Sequence, residues 1–301
     1  MRRRPVLLAS AAVAAFATLV GCSSSSGSSE TSGSSAEAKT SVAKDAALAA
    51  KLPDEIKQAG VIRVATDPTY EPFESIKDGK VVGFDPDLAA AIGSLLGVRV
   101  QFVNTSFDGI IPSLAARKVD MAMSSIGDTK EREKVIDVVT YYWNGKLALV
   151  RKGNPKHLKS EPLCDARIGV IRGSLQQTTF LPSQKPKCAK IGKPAPTPVV
   201  FQTGTQAQLA LQSGRIDGVV EDAPPLLAVA GAQPEIFETA GPFLRNPNPG
   251  GVAFPKGSKL VEPVHAALNV LMKDGTYKSL LKKWNLENIS IDQAKVNDAR
   301  S

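Results

Sequence analysis

Residues 98–132, VRVQFVNTSFDGIIPSLAARKVDMAMSSIGDTKER, decide how this chain is read. Residues 98–103 read as a strand, 110–116 as a helix and 119–123 as a second strand. This βαβ order implies a sheet with helices on its faces. The unit runs into a loop of small hydroxyl and glycine residues, Ser124, Ser125 and Gly127, and then Thr129 and Arg132. A loop of that composition brings free backbone N–H groups close to a bound anion. The guanidinium three residues after Thr129 offers a planar, permanently charged fork for a carboxylate. Nothing in the stretch supplies a nucleophile with a base, so it reads as a place to hold a small molecule.

The same rhythm extends in both directions. Upstream, residues 61–65 form a short strand stopped by the turn at 66–68, and 81–84 form a second. Asp85-Pro86-Asp87 then opens a helix over 88–96, with acids where the helix dipole favours them and Gly97 at its end. Downstream, strands are expected at 147–151, 168–171, 216–220 and 252–254, with helices from Leu175 and over 205–213, 260–273 and 276–283. The lysine- and proline-rich residues 182–198 read as a surface excursion. Two similar α/β units in tandem, with a final piece resembling the first, suggest two lobes and a chain that crosses between them. A ligand would sit in the crevice at the carboxyl ends of the strands.

The N-terminus stands apart from this pattern. Arg2, Arg3 and Arg4 precede an apolar run too short to span a membrane comfortably, as in a secretory signal. Leu19-Val20-Gly21-Cys22 resembles the lipobox of bacterial lipoproteins, so residues 1–22 are expected to be a signal peptide and Cys22 the lipidated residue. An uncleaved anchor helix is the competing reading. The arginines suggest twin-arginine export, from whose consensus Pro5-Val6-Leu7 departs. Residues 23–45 are Ser/Gly-rich and suit a flexible tether.

Composition narrows the function further. The net charge is +8; removing the three N-terminal arginines leaves 34 basic against 29 acidic residues, or +5. The basic residues are scattered among acidic ones, without the clustered stripe that nucleic-acid binding needs. His157 and His265 lie far apart, with no metal-ligand spacing, and no phosphate-cradling GxxxxGK[ST] loop appears. No cofactor or metal is therefore expected. With Cys22 assigned to lipidation, Cys164 and Cys188 remain as an even pair in an exported chain, and a disulfide is expected. Two buried thiols are the alternative, and no His or Cys neighbours suggest a metal site.

The ordered set ATDPTYEPFES, VVGFDPDLAAAIGSLLGV, FDGIIPSLAARKVDMAMSSI, TKER, GVIRGS, GRIDGVVED and KDGTYKSLLKKW resembles the family 3 solute-binding proteins of ABC importers, which serve polar amino acids. The resemblance runs from about residue 60 to residue 288. It implies an α/β, two-lobe periplasmic-binding-protein-like (type II) fold with a hinge between the lobes. Residues 60–149 plus 246–288 would form lobe 1 and 150–245 lobe 2. It implies a lipid-anchored, monomeric protein outside the cytoplasmic membrane that closes on a polar amino acid, a basic one being the narrower expectation, and docks on permease subunits.

Carried over residue by residue, the resemblance places Arg132 on the ligand α-carboxylate, with Ser125 and Gly127 adding contacts from the same loop. Ser174 completes the carboxylate site from the other lobe, and Asp222 accepts from the α-ammonium. Tyr70 and Phe107 sandwich the side chain, and Asp67 matches an acid that meets a cationic one. Leu175 stands where basic-amino-acid binders often have Thr, and Gly127-Asp128 replaces a more usual hydroxyl–aliphatic pair. Asp128 reads more readily as a helix cap than as a ligand contact. The alternative from another class is an exported cyclohexadienyl dehydratase-like enzyme, with Asp67, Glu71 and Asp128 as candidate acids.

Overall fold

The computed structural model describes residues 42–300; the signal segment, Cys22 and the tether up to residue 41 lie outside the described residues. Residues 42–45, expected in the tether, belong to the folded unit. Val42 packs on the core, and Asp45 Oδ1 accepts from the amides of Ala47 and Leu48 at 2.8 and 3.1 Å, capping the helix Ala46–Ala50.

The first half of the chain contributes β1 (Val61–Thr66), β2 (Thr69–Tyr70), β3 (Glu74–Lys77), β4 (Lys80–Val82), β5 (Arg99–Asn104), β6 (Met121–Gly127) and β7 (Ile136–Tyr142). The second contributes β8 (Gly145–Arg151), β9 (Arg167–Ile171), β10 (Thr197–Phe201), β11 (Gly218–Asp222), β12 (Phe237–Arg245) and β13 (Gly250–Pro255). Two five-stranded sheets result, ordered β5-β1-β6-β13-β7 and β10-β9-β11-β8-β12, while β2, β3 and β4 form a small antiparallel sheet. In each large sheet three strands run parallel, with the first in sequence at their centre; one strand, β13 or β8, runs against them, and the edge strand beyond it, β7 or β12, runs with them. This is the α/β, two-lobe architecture.

The two halves repeat a detail that the sequence hides. Arg63, near the start of β1, places Nη2 and Nε on the carboxylate of Asp120 at 2.7 and 3.1 Å, and Asp120 also accepts from the Arg63 amide. Arg167, starting β9, holds Asp217 in the same way at 2.9 and 3.2 Å. Each clasp ties the first parallel strand to the turn before the third.

The chain passes between the sheets twice, at residues 143–144 and 246–249. Lobe 1 was expected to continue to residue 149, but β8 pairs along its length with β11 and β12, so the crossing comes earlier. The two crossings are laced together. Trp143 Nε1 donates to the Asn246 carbonyl at 2.8 Å, and the Asn246 amide donates to the Asn144 carbonyl at 3.0 Å.

On the first sheet, the helices Phe84–Leu96, Val261–Lys273 and Thr276–Lys283 bury one face over Phe84, Leu88, Ile92, Leu268 and Tyr277. The helix Phe107–Ala115 covers the other through Ile110 and Leu114. The helix expected at 88–96 begins a turn earlier, because Gly83 adopts φ +145°; a Cβ there would stand 2.1 Å from the Phe73 carbonyl oxygen. Residues 182–198 are not an excursion: the helix Leu181–Lys190 occupies the first part and β10 begins in the second. A π-helical turn, Gln176–Phe180, runs directly into that helix, and Pro182 and Pro186 each remove a backbone donor along it. Cys188, on the same helix, is disulfide-bonded to Cys164, with the Cα atoms 5.5 Å apart. Among the described residues no helix is long and apolar enough to cross a membrane.

Candidate functional site

The carboxyl ends of the parallel strands β1, β6, β9 and β11 converge on one cavity of about 730 Å³ between the two sheets. All eight expected ligand residues line it: Asp67, Tyr70, Phe107, Ser125, Gly127 and Arg132 from one side, Ser174 and Asp222 from the other.

Arg132 enters from the short helix Lys130–Glu133, capped by Thr129 Oγ1, which accepts from the Arg132 amide at 3.2 Å. Its Nη1 donates to the Gly127 carbonyl at 2.9 Å and its Nη2 to the Gly173 carbonyl, across the cavity, at 3.1 Å. The guanidinium carbon lies 5.9 Å from the Phe107 ring centroid. Burial lowers the guanidinium pKa, but an arginine stays charged. With two carbonyls bound, N–H groups remain for an anion.

Asp222 ends β11 and precedes the helix Ala223–Ala232, yet its carboxylate makes no capping bond. Oδ2 accepts from Ser125 Oγ at 3.0 Å, across the cavity, and Oδ1 from Gln176 Nε2 at 2.9 Å. Its amide donates to Tyr70 Oη at 3.2 Å. Burial pushes the Asp222 pKa up, while Ser125, Gln176, Lys146 and Arg132 oppose the rise. Ser125 is held at φ +47°, and its hydroxyl also lies 3.2 Å from Tyr142 Oη. Beneath it, Asp85 accepts from Tyr141 Oη at 2.6 Å, and Glu74 accepts from Ser124 Oγ at 2.8 Å.

The other expected residues differ in how free they are. Both Asp67 oxygens are taken: Oδ1 by Thr69 Oγ1 at 2.7 Å and Oδ2 by the Phe107 amide at 3.0 Å. Burial raises its pKa against those two bonds. Asp67 thus fastens the start of the helix Phe107–Ala115 while facing the cavity. Ser174 Oγ accepts from the Gln177 amide at 3.2 Å. Asp128 is fully buried, does not line the cavity, and does not cap the adjoining helix, a task that falls to Thr129. Burial and the Glu133 carboxylate push its pKa up to about 7.

Sequence reasoning missed Tyr142, Lys146, Gln176 and Glu221, which also line the cavity. The acid pair ending the apolar run GVVED was a signal for Glu221; the other three carry none. Among the described residues no group of three or more His, Cys, Asp or Glu could hold a metal ion.

Two sheets meeting around one cavity that Arg132 and Asp222 enter from opposite sides define a two-lobe solute-binding protein. The chain belongs to the bacterial extracellular solute-binding proteins, family 3, whose sequence model matches residues 62–287. The putative ABC transporter arginine-binding protein 2 of Escherichia coli (strain K12) is 34% identical over 238 residues, spanning 75% of this chain and 91% of that protein. Among solved structures, an ancestral arginine-binding protein bound to arginine is 37% identical, with a TM-score of 0.67 over 75% of this chain and 98% of that one. An ancestral amino acid-binding protein described as a precursor of cyclohexadienyl dehydratase is 35% identical, with a TM-score of 0.63 over 77% and 98%.

Proposed function

We propose that this chain is the lipid-anchored, extracytoplasmic substrate-binding component of an ABC importer, and that it closes on a polar amino acid with a basic side chain. The observation that carries the reading is that Arg132 and Asp222 face one cavity from different sheets. An enclosed zwitterion loses the hydration of both charges, which is costly unless each meets a partner. Arg132 takes the α-carboxylate with help from Ser125, Gly127 and Ser174, and Asp222 takes the α-ammonium. Tyr70 and Phe107 enclose the side chain, and their ring faces favour a cation. Only the closed form satisfies both ends of the ligand, so binding shifts the population toward it. The arginine-binding names of the relatives support a basic ligand.

In this reading the lobes divide at the crossings 143–144 and 246–249, Cys22 carries the lipid, and the partner is the membrane permease of the importer, met by a monomer. Calorimetry against an amino-acid panel tests the ligand class. A basic member should bind most tightly and Arg132→Ala should abolish it; no binding by any member, or undiminished binding by the variant, refutes the proposal. Metabolic labelling with a clickable fatty acid tests the anchor, since label should appear on the chain and vanish in Cys22→Ala.

A dehydratase-like enzyme is the second reading, favoured by one observation: Glu221, lining the cavity, has its pKa pushed up to about 8, first by burial and then by Asp222. A carboxyl that keeps its proton near neutral pH suits a general acid. Incubation with prephenate or arogenate decides, aromatic product favouring the enzyme.

A further inference from the structure

Glu221 is 2% exposed, its Oε1 has no hydrogen-bond partner, and it lines the cavity. Oε1 itself is enclosed; a buried acceptor without a partner is a standing cost of folding, so a carboxylate at a cavity wall that carries one is poorly satisfied and open to a donor. The carboxylate lies against Gly204, where a Cβ would come within 3.1 and 3.2 Å of its oxygens. Gly204 opens the helix Gly204–Gln212, whose N-terminal dipole favours the anionic form. Asp67, by contrast, already accepts one hydrogen bond at each oxygen from its own neighbours, which leaves it better satisfied than Glu221.

The charges around Glu221 indicate what the donor is. Asp222 adjoins it on the same strand, and Lys146 pairs with Asp222 from β8, its Nζ held 3.0 Å from Asn246 Oδ1. Tyr70, Tyr142, Asp67 and Arg132 face the cavity from the first sheet, with Glu131 at its edge. Once Arg132 and Asp222 are matched to the ends of an amino acid, Asp67, Glu131 and Glu221 remain against Lys146. Glu131 is ion-paired with Lys134, and of the remaining acids Glu221 is the buried one with an oxygen that lacks a partner.

We propose that Glu221, not Asp67, reads the side chain of the ligand, and that this side chain is a cation carrying several N–H donors, such as a guanidinium. The proposal rests on the reading of the cavity as an amino-acid site. It carries a linkage. Without ligand, Glu221 holds its proton up to about pH 8; a bound cation favours the carboxylate, so binding below that pH releases a proton. Affinity for the cationic ligand therefore rises with pH toward 8 and then levels.

The test is calorimetry on the full chain at pH 6.5 with L-arginine and its neutral isostere L-citrulline, in two buffers of different ionisation enthalpy. Arginine should bind at least about tenfold more tightly than citrulline and release about one proton, as expected for a charge-assisted bond to a buried carboxylate. Glu221→Gln should erase both the preference and the proton release while still binding citrulline, which shows that the variant is folded. Preference and proton release that survive in Glu221→Gln overturn the proposal, as does their loss in Asp67→Asn instead. Citrulline binding as tight as arginine in the unaltered chain also overturns it and leaves the amino-acid site standing. If no amino acid binds the unaltered chain, the reading of the cavity itself fails.

Discussion

Replacing Asp222 by Asn separates ligand binding from folding, because the residues around Asp222 can adapt to an amide. The carboxylate accepts from Ser125 Oγ and Gln176 Nε2. In Asp222→Asn the new carbonyl keeps one of these bonds. The new NH2 group faces either a hydroxyl that can turn to accept or an amide that can flip. The variant also removes a buried charge. Burial holds the folded pKa of Asp222 above its ordinary value, so the stability tied to its proton is present below about pH 4 and lost as pH rises through the folded value. At neutral pH the unliganded variant should therefore melt at or above the wild-type temperature. Ligand binding should move the other way. Losing one partner of a buried, hydrogen-bonded charge pair costs about 2–5 kcal/mol, a loss of roughly thirtyfold to several thousandfold in affinity. Calorimetry with the tightest-binding amino acid and a thermal melt without ligand read the two effects. Binding within threefold of wild type would show that Asp222 is not the ammonium partner; a collapse of the unliganded melt would show that its place is structural.

The Cys164–Cys188 bridge closes a loop with a sequence separation of 24, and neither cysteine lines the cavity. The double Ser variant should lose about 3 kcal/mol of stability and melt about 6–12 °C lower, with ligand affinity retained; a melt within 2 °C of wild type (roughly 0.5–1 kcal/mol) contradicts this. Tyr70→Phe removes the acceptor of the buried Asp222 amide, a bond between the two halves of the molecule that the proposed function makes a closure contact. The unliganded melt should hardly change while affinity drops about fivefold to a hundredfold, and an affinity within twofold of wild type counts against a bond made on closure. Asp128, with its folded pKa near 7, is stabilising in its protonated form, and that contribution is lost as pH rises through 7. Asp128→Asn should gain on the order of 1–3 kcal/mol over wild type in denaturant titrations between pH 5 and pH 8, and a constant difference across that range refutes the assignment.

Much of the architecture was legible because the elements obey local rules. Residues 61–65, 98–103 and 119–123 read as strands, and Gly97 ends a helix that the structure contains. The failures have physical causes. β7 is buried along its whole length, so its residues, IDVVTYY, lack the apolar–polar alternation that marks a half-exposed strand. The helix Ala223–Ala232, where no element was expected from the sequence, opens with two prolines, which suit a first helical turn. The paired Arg63–Asp120 and Arg167–Asp217 clasps lie more than forty residues apart in each half, beyond any local pattern.

The alternation of strands and helices, the small-residue loop ahead of Arg132 and the acid pair closing GVVED can all be read from the letters of the chain. Each of these depends on neighbours a few residues away and so survives in a string of letters. The tertiary structure decided which acids are free. Asp67 is occupied by Thr69 and the Phe107 amide, Asp222 is shared between Ser125 and Gln176, and Glu221 keeps an oxygen without a partner. Carboxylates are alike as letters. What each can bind is set by burial and by the donors that distant strands bring within 3 Å, and only the folded chain brings those strands together.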